Sequence, residues 1–236
     1  MMIRLPKESS PVAAPRAHDT VATRPKSTRG APACRRTMGH VKVVALILAA
    51  GEGQRLGGPK ALAVLHGETF FAHVVHLLSA ASIEEAVAVI GAEETRVSAE
   101  IARFPAVCCV HNGEWRRGML GSILAGLDAA EAVGADAVLV HPVDHPMVRP
   151  DTIREVVAAL AEGFPIVIPS HGGHRGHPAG FARSTWPDLR SADPSKGARS
   201  VLAQRASIVH HVPVGPDCLW GINTAEDLAR FNSSNP

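Results

Sequence analysis

The sequence contains no tyrosine, and aromatic residues make up only 4% of its 236 positions. A buried core must therefore consist mainly of aliphatic side chains. The hydrophobic content of 46% is enough for one sizeable α/β domain. No run of about 18 consecutive apolar residues occurs, so no segment is predicted to span a membrane.

Cysteine is also scarce, and its four positions form neither a CxxC pair nor a zinc-ligand spacing. Cys108 and Cys109 are adjacent in a predicted strand, where their side chains should point to opposite faces and stay reduced. We expect the cysteines, including Cys34 and Cys218, to be small buried hydrophobic residues. This usage favours a cytoplasmic protein.

The sequence after residue 40 has no excess of positive charge. Residues 1–40 hold eight basic and two acidic side chains, which leaves 16 basic and 20 acidic in the remainder, a formal charge of −4. A domain of that sign is not expected to bind nucleic acid through bulk electrostatics.

Residues 1–40 are rich in Pro, Ala, Ser, Thr and Arg and show no apolar periodicity, so we predict a disordered basic tail. Two alternatives are a targeting peptide and an over-extended translation start, with Met38 as the true first residue. No h-region precedes a cleavage site, so secretion is not expected. Residues 41–236 are predicted to be the folded domain.

From Val43 onward, apolar strands alternate with helical stretches, which predicts an α/β fold with a mostly parallel sheet. The predicted strands are 43–50, 86–91, 106–110, 136–141, 165–169, 179–183 and 208–212. The predicted helices are 70–81, 93–103, 119–133, 151–162, 197–205 and 224–231.

The stretch from Leu46 to Lys60, LILAAGEGQRLGGPK, is a buried strand followed by a glycine-rich loop. Glycines 51, 53, 57 and 58 allow backbone N–H groups to face a ligand, and Arg55 and Lys60 add positive charge. Such a turn at the carboxyl end of a parallel strand is typical of phosphate binding.

Two common phosphate loops do not match this stretch. The P-loop requires GxxxxGK[ST], whereas Pro59 precedes Lys60 and Ala61 replaces the hydroxyl residue that would hold magnesium. The dinucleotide fingerprint requires GxGxxG, whereas Gly51, Gly53 and Gly57 are spaced one residue too long.

The segment HPVDHP ends the strand predicted at 136–141, and Asp144 should face the same crevice as the glycine loop. A carboxylate beside a polyphosphate suits Mg²⁺, which prefers oxygen ligands. A plain turn-capping role for Asp144 is the alternative. Because magnesium does not favour imidazole, we interpret His141 and His145 as neighbours of the ion or exposed residues rather than ligands.

The segment GINTAED contains a capping pattern, in which Thr224 caps the last helix and Asp227 follows three residues later. The histidine-rich loop HGGHRGH spaces His171, His174 and His177 three apart, but its glycines do not align the rings for zinc. His177 is the better candidate for a phosphate contact, because an imidazole can charge near neutrality.

The glycine loop resembles the LAAGxGxRxGxPK signature of nucleotidyltransferases, with one extra glycine that leaves the register of Gly57 and Gly58 open. Further elements of the MobA-like nucleotidyltransferases match Asn112, Trp115, Gly118 and Ser122, then GHP with a following phenylalanine at 176–181, and GAR at 197–199. The PK, GHP and GAR elements are most similar to the molybdenum cofactor cytidylyltransferase branch.

This resemblance implies a three-layer αβα, Rossmann-like nucleotidyltransferase fold and transfer of CMP from CTP to molybdopterin with release of pyrophosphate. It also implies a Mg²⁺ cofactor held by Asp144 and Asn223, although the first Asp of the family's D-x-[DN] run is Gly221 here. A molybdoenzyme or its chaperone is an implied partner.

The resemblance assigns the site residues as follows. The catalytic residues are Arg55, Lys60 and Asp144. The nucleotide-binding residues are Leu48, Ala49, Ala50, Gly51, Gly53, Arg55, Lys60, Asn112, Gly118 and Ser122. The substrate-binding residues are His177 and Arg199.

Two other hypotheses remain open. One is a nucleotidyltransferase that uses GTP or UTP and a sugar, polyol or acid phosphate. The other is a non-catalytic protein that keeps the fold and only holds a cofactor, which would not need Asp144 together with Lys60.

Overall fold

The computed structural model describes residues 41–193 and 196–233, so the predicted tail of residues 1–40 lies outside the described residues. The ten strands within those ranges are β1 (Val43–Ala49), β2 (Val64–Leu65), β3 (Glu68–Thr69), β4 (Glu85–Ile90), β5 (Val107–His111), β6 (Ala137–Pro142), β7 (Ile166–His171), β8 (His174–Arg175), β9 (Ala179–Ala182) and β10 (Val209–Pro213). The α-helices there are α1 (Phe70–Ala80), α2 (Glu94–Ile101), α3 (Met119–Ala132), α4 (Pro150–Ala161), α5 (Trp186–Ser191), α6 (Ala198–Gln204) and α7 (Ala225–Ser233).

The main sheet of the described chain has the order β10-β7-β9-β6-β1-β4-β5, with β8 paired to β7. Strands β6, β1, β4 and β5 run parallel, as do β7 and β10, while β9 is antiparallel to both of its neighbours. This confirms the mostly parallel sheet. The central strand β1 is buried at every residue, as its unbroken apolar run predicts.

Successive residues of β1 face two separate hydrophobic layers. Ala45 and Ile47 pack with residues of α1, α2 and α4, whereas Val44 and Leu46 pack with residues of α3, α5 and α6. A helix layer therefore covers each face of the sheet, which confirms the three-layer α/β arrangement. Burying one such aliphatic side chain contributes about 1.5 to 3 kcal/mol.

Several short elements escaped the sequence analysis. The hairpin of β2 and β3, the two-residue strand β8 and the six-residue helix α5 were not predicted. Each is too short to show a hydrophobic period, and α5 is held by burial of Trp186 and Leu189.

The expectation of buried cysteines is wrong for two of them. Cys108 and Cys109 are exposed, whereas Cys218 is buried. The reason is that β5 forms the edge of the sheet, where neither face is fully covered. Cys34 lies outside the described residues. No helix in the described part of the chain combines the length and hydropathy that crossing a membrane requires.

Candidate active site

The glycine loop after β1 closes on itself through a short 3-10 turn at Gln54–Leu56. The N–H groups of Leu56 and Gly58 donate to the carbonyl of Gly53, at 2.8 and 3.3 Å. A Cβ atom on Gly53 would lie only 2.0 Å from the carbonyl oxygen of Gly58, and φ of Gly53 is +64°. Only glycine fits this position.

The two later glycines differ in conformation. Gly57 has φ of +89° and ends the turn, donating its N–H to the carbonyl of Gln54 at 3.2 Å. Gly58 instead places its carbonyl against Gly53. The expectation that all four glycines present N–H groups to a ligand is therefore wrong for these two, because their N–H groups are used inside the loop.

Lys60, Asp144 and Asn223 form the centre of the site. The Nζ atom of Lys60 donates to Oδ2 of Asp144 at 2.6 Å and to Oδ1 of Asn223 at 2.7 Å. Asp144 follows β6, and its carbonyl accepts the N–H of Ile222 at 2.8 Å, which brings the segment of Asn223 alongside. The structure thus unites the predicted catalytic lysine with both predicted metal ligands.

The backbone of Asn223 is held by the cap of α7. Oδ2 of Asp227 accepts the N–H groups of Asn223 and Thr224, both at 3.1 Å. The N–H of Asp227 donates to Oγ1 of Thr224 at 3.1 Å, completing the capping pattern expected from the sequence. The bond from Asn223 is the largest cause that lowers the pKa of the Asp227 carboxyl.

The donor atoms at this centre fit a magnesium ion. A carboxylate and a carboxamide oxygen are hard ligands of the kind Mg²⁺ prefers, and the structure already holds a cation, the Lys60 ammonium, between them. No group of three or more His, Cys, Asp or Glu side chains in the described ranges is arranged to hold a metal. An ion at Asp144 and Asn223 would therefore complete its coordination with phosphate and water.

A cavity of about 330 Å³ opens beside Lys60 and Asp144, between the carboxyl ends of β1 and β6 and the start of α3. Its volume is within the usual range for small-molecule sites. It is lined by Leu48, Ala50, Gly51, Lys60, Trp115, Arg116, Gly118, Met119, Ser122, Pro142, Val143 and Asp144. Six of the predicted nucleotide-binding residues are among them.

Four predicted nucleotide-binding residues lie elsewhere. Ala49 is buried in β1. Gly53 and Arg55 line a neighbouring surface pocket, which Lys60 also lines. Asn112 is buried behind the cavity wall, where its side chain donates to Oγ of Ser122 at 3.1 Å.

Trp115 and Arg116 form the rim of the cavity. Trp115 belongs to the run that resembles the family, whereas Arg116 was not predicted as a site residue. A Cβ atom on Gly91 would lie 2.5 Å from Cγ of Trp115, so the indole lies directly on that glycine. The guanidinium of Arg116 lies 4.2 Å from the centre of the indole ring and 3.3 Å from Oε1 of Glu52. The sequence signal was an aromatic residue followed by two arginines just before a helix.

Three histidines lie behind Asp144. His141 is fully buried, and its Nε2 is 3.1 Å from the carbonyl of His145. The rings of His145 and His177 meet edge to face with centroids 4.7 Å apart. The Nδ1 atom of each of the three is buried without a hydrogen-bond partner among the described residues.

Burial lowers the pKa of all three rings. It lowers the pKa of His141 to about 4, and burial together with the nearby His177 lowers the pKa of His145 to about 3. Burial also lowers the pKa of His177; the Asp144 carboxylate opposes this and Arg199 adds to it. This lowering opposes the expectation that His177 can charge near neutrality, and His141 has no exposed role because it is fully buried.

The loop that carries His177 is fixed by close packing. The N–H of His177 donates to the carbonyl of Cys218 at 2.9 Å, and a Cβ atom on Gly176 would lie 2.5 Å from that same oxygen. Arg199 begins α6 as an exposed side chain outside the cavity lining. His171 and His174 are exposed in the β7–β8 hairpin, whereas His177 is only partly exposed.

Comparison with known proteins gives the class of the fold and site. The profile of the MobA-like NTP transferase domain matches residues 45–210, and the chain belongs to this family. The fold and the site are therefore those of an NTP transferase family.

The names of the individual relatives differ in the activity that they state. The chain is 33% identical over 201 residues to the molybdenum cofactor guanylyltransferase of Cereibacter sphaeroides, covering 82% of this chain and 97% of that protein. It is 35% identical over 138 residues to the 2-C-methyl-D-erythritol 4-phosphate cytidylyltransferase of Streptomyces avermitilis, covering 55% of this chain and 54% of that protein. The chain thus spans about half the length of the latter relative.

Solved structures agree on the fold. The Mycobacterium tuberculosis protein Rv0371c superposes with a TM-score of 0.71 at 23% identity, covering 83% of this chain and all of that one (100%). At that identity the likeness extends to the fold alone.

Proposed function

We propose that this chain is a magnesium-dependent nucleotidyltransferase that transfers CMP from CTP to the phosphate of a molybdopterin-type acceptor. The observation that carries the proposal is the contact of Lys60, which lines the cavity, with Asp144 and Asn223. A cation between two hard oxygen ligands, beside a glycine loop, is an arrangement suited to polyphosphate chemistry.

In the proposed reaction an oxygen of the acceptor phosphate attacks the α-phosphorus of the nucleotide. A new phosphorus–oxygen bond forms, the bond from the α-phosphorus to the bridging oxygen breaks, and pyrophosphate leaves with that electron pair. No protein nucleophile is required, so the contribution of the protein is positioning and fixed charge.

The chain's own groups divide this work. Arg55 is exposed and makes no hydrogen bond or ion pair with the residues that the structure describes, so its charge is available to the departing pyrophosphate. Lys60 reaches both the cavity and the pocket of Arg55 and can follow the phosphates. Asp144 and Asn223 would hold the magnesium ion, which when bound neutralises charge on the phosphate oxygens.

The choice of CTP rests on the loop. Pro59 precedes Lys60 in the PK element that resembles the cytidylyltransferase branch, and Pro59 is buried at the start of the short turn of Lys60. The choice of acceptor rests on the molybdenum cofactor relatives. Because one relative is a guanylyltransferase and another acts on a methylerythritol phosphate, GTP and a polyol phosphate are the second candidates.

Pyrophosphate release tests the proposal, with each of four nucleotides offered with molybdopterin and then with a polyol phosphate. We expect CTP to exceed GTP by at least about tenfold in kcat/KM with molybdopterin, equal to about 1.4 kcal/mol of transition-state binding. Equal use, or a preference for GTP, would overturn the cytidylyl assignment. If none of the four nucleotides supports pyrophosphate release, the result would favour a non-catalytic binding protein.

A further inference from the structure

The ammonium of Lys60 occupies the same two oxygen atoms that would bind the metal ion. It lies 2.6 Å from Oδ2 of Asp144 and 2.7 Å from Oδ1 of Asn223, and the Lys60 and Asp144 side chains are only 22% and 19% exposed. Partial burial weakens competition from water, so these charge-assisted hydrogen bonds are strong. The oxygen pair therefore already has a bound cation.

A divalent ion cannot join this arrangement without opposition. It would have to bind the same oxygens within contact distance of a positive charge, and like charges repel strongly where water is partly excluded. Asn223 contributes only one neutral oxygen, so it cannot compensate both cations. Lysine and metal are consequently competitors for the pair.

Only the side chain of Lys60 needs to move to release the oxygens. Its backbone is fixed by a short turn in which the N–H of Leu62 donates to Pro59 at 3.0 Å and that of Ala63 donates to Lys60 at 3.1 Å. Ala61 between them is buried. The flexible four-carbon stem of lysine lines both the cavity and the pocket of Arg55, which gives the ammonium somewhere to go.

We propose that Lys60 is a tethered cation that keeps the metal site closed until a nucleoside triphosphate draws the ammonium away. This inference rests on the proposed function, since it takes Asp144 and Asn223 as metal ligands. The nucleotide phosphates provide stronger anionic partners for the ammonium than the single Asp144 carboxylate. A divalent ion then binds together with the nucleotide rather than before it.

Binding of Mn²⁺ to the nucleotide-free protein tests this proposal, measured by the loss of the free-ion signal in electron paramagnetic resonance. We expect Lys60→Met to bind Mn²⁺ at least about tenfold more tightly than wild type, the size of one competing charge-assisted contact. Adding Asp144→Asn to that variant should abolish the gain. Arg55→Met is the matched control, because it removes one positive charge from the pocket that Lys60 also lines without touching the oxygen pair, and we expect no comparable gain.

Two outcomes would overturn the proposal. One is Mn²⁺ binding by Lys60→Met that is no tighter than by wild type, and the other is an equal gain in Arg55→Met, which would reduce the effect to net charge. The melting temperature of each variant shows whether it is folded. If Lys60→Met is unfolded, Lys60→Gln replaces it. The titration uses no acceptor and no turnover, so a failure of the transferase assay is distinguishable from a failure here.

Discussion

The two sides of Asp144 differ in the charge and the burial of their side chains. One side faces the cavity, and the other carries the histidines. On the cavity side, the Lys60 side chain is partly exposed, and the side chains of Arg55 and Arg116 are exposed. On the other side, His141 is fully buried and His177 is partly buried, and burial lowers the pKa of both rings. A charged group near water loses little solvation, whereas a charged imidazole in the interior would lose much.

The comparison suggests different tasks for the two sides. Fixed cations suit a polyphosphate that arrives with several negative charges. A neutral imidazole instead offers one N–H donor and one acceptor nitrogen, which suits directional contacts without net charge. We therefore expect substitutions on the cavity side to affect the nucleotide and those on the histidine side to affect the acceptor.

The largest effect is expected at Asp144 itself, where the two sides meet. Asp144→Ala should lower magnesium-dependent turnover by at least about 10³, because it removes the charged ligand. Asn223→Ala should be partly rescued by more magnesium, because a neutral oxygen contributes less. Pyrophosphate release against a magnesium titration measures both, with the exposed Asp151→Ala as control. The reverse ranking would mean that the metal ligands are wrongly assigned.

On the cavity side, Lys60→Ala should keep the fold and lower turnover by roughly 10² to 10³, the usual cost of one preorganised charge. The side chain packs in no hydrophobic layer, so the melting temperature should change little. Turnover within about threefold of wild type would exclude Lys60 from the reaction.

On the histidine side, His177→Ala should raise the KM for the acceptor by about tenfold, the size of one lost hydrogen bond. The KM for the nucleotide should be unchanged, because His177 does not line the cavity. Exposed His174→Ala is the matched control from the same loop. If the nucleotide KM rises instead, the division of tasks between the two sides is incorrect.

The smallest effect concerns stability in acid. The folded-state pKa of His141 is about 4, below the unfolded value of 6.5, so the unfolded chain binds the proton first as pH falls. The stability that the neutral ring provides is thus complete above pH 6.5 and is lost as the pH falls towards 4. The expected loss of unfolding free energy is about 2 kcal/mol at pH 5. Melting temperatures at pH 7 and pH 5 should show this loss, and His141→Gln should reduce it. Exposed His211→Gln is the control, and an equal loss in His141→Gln would contradict the burial argument.

Local patterns predicted much of this molecule. The apolar run of β1 and the glycines after it specify a buried strand and a tight turn, because these depend on neighbouring residues alone. Thr224 and Asp227 likewise predicted their cap. The predicted ends of the strands and helices differ from the observed ones by one or two residues in most cases.

The burial of single residues could not be predicted from local sequence patterns. Cys108 and Cys109 have the composition of an interior strand, yet β5 lies at the sheet edge. The polar His141 lies in β6, between β1 and β9, and is fully buried. Burial depends on strand order, and strand order is not a local property.

The sequence by itself determined the chemical groups of this protein: a glycine loop with two cations, an aspartate after a strand and an asparagine before a helix. Only the tertiary structure decided that Lys60 would lie between Asp144 and Asn223, from which it is separated by 84 and 163 positions. The physical reason is that residue type fixes charge and local backbone preference, whereas the parallel pairing of β6 with β1 brings distant strand ends to one edge.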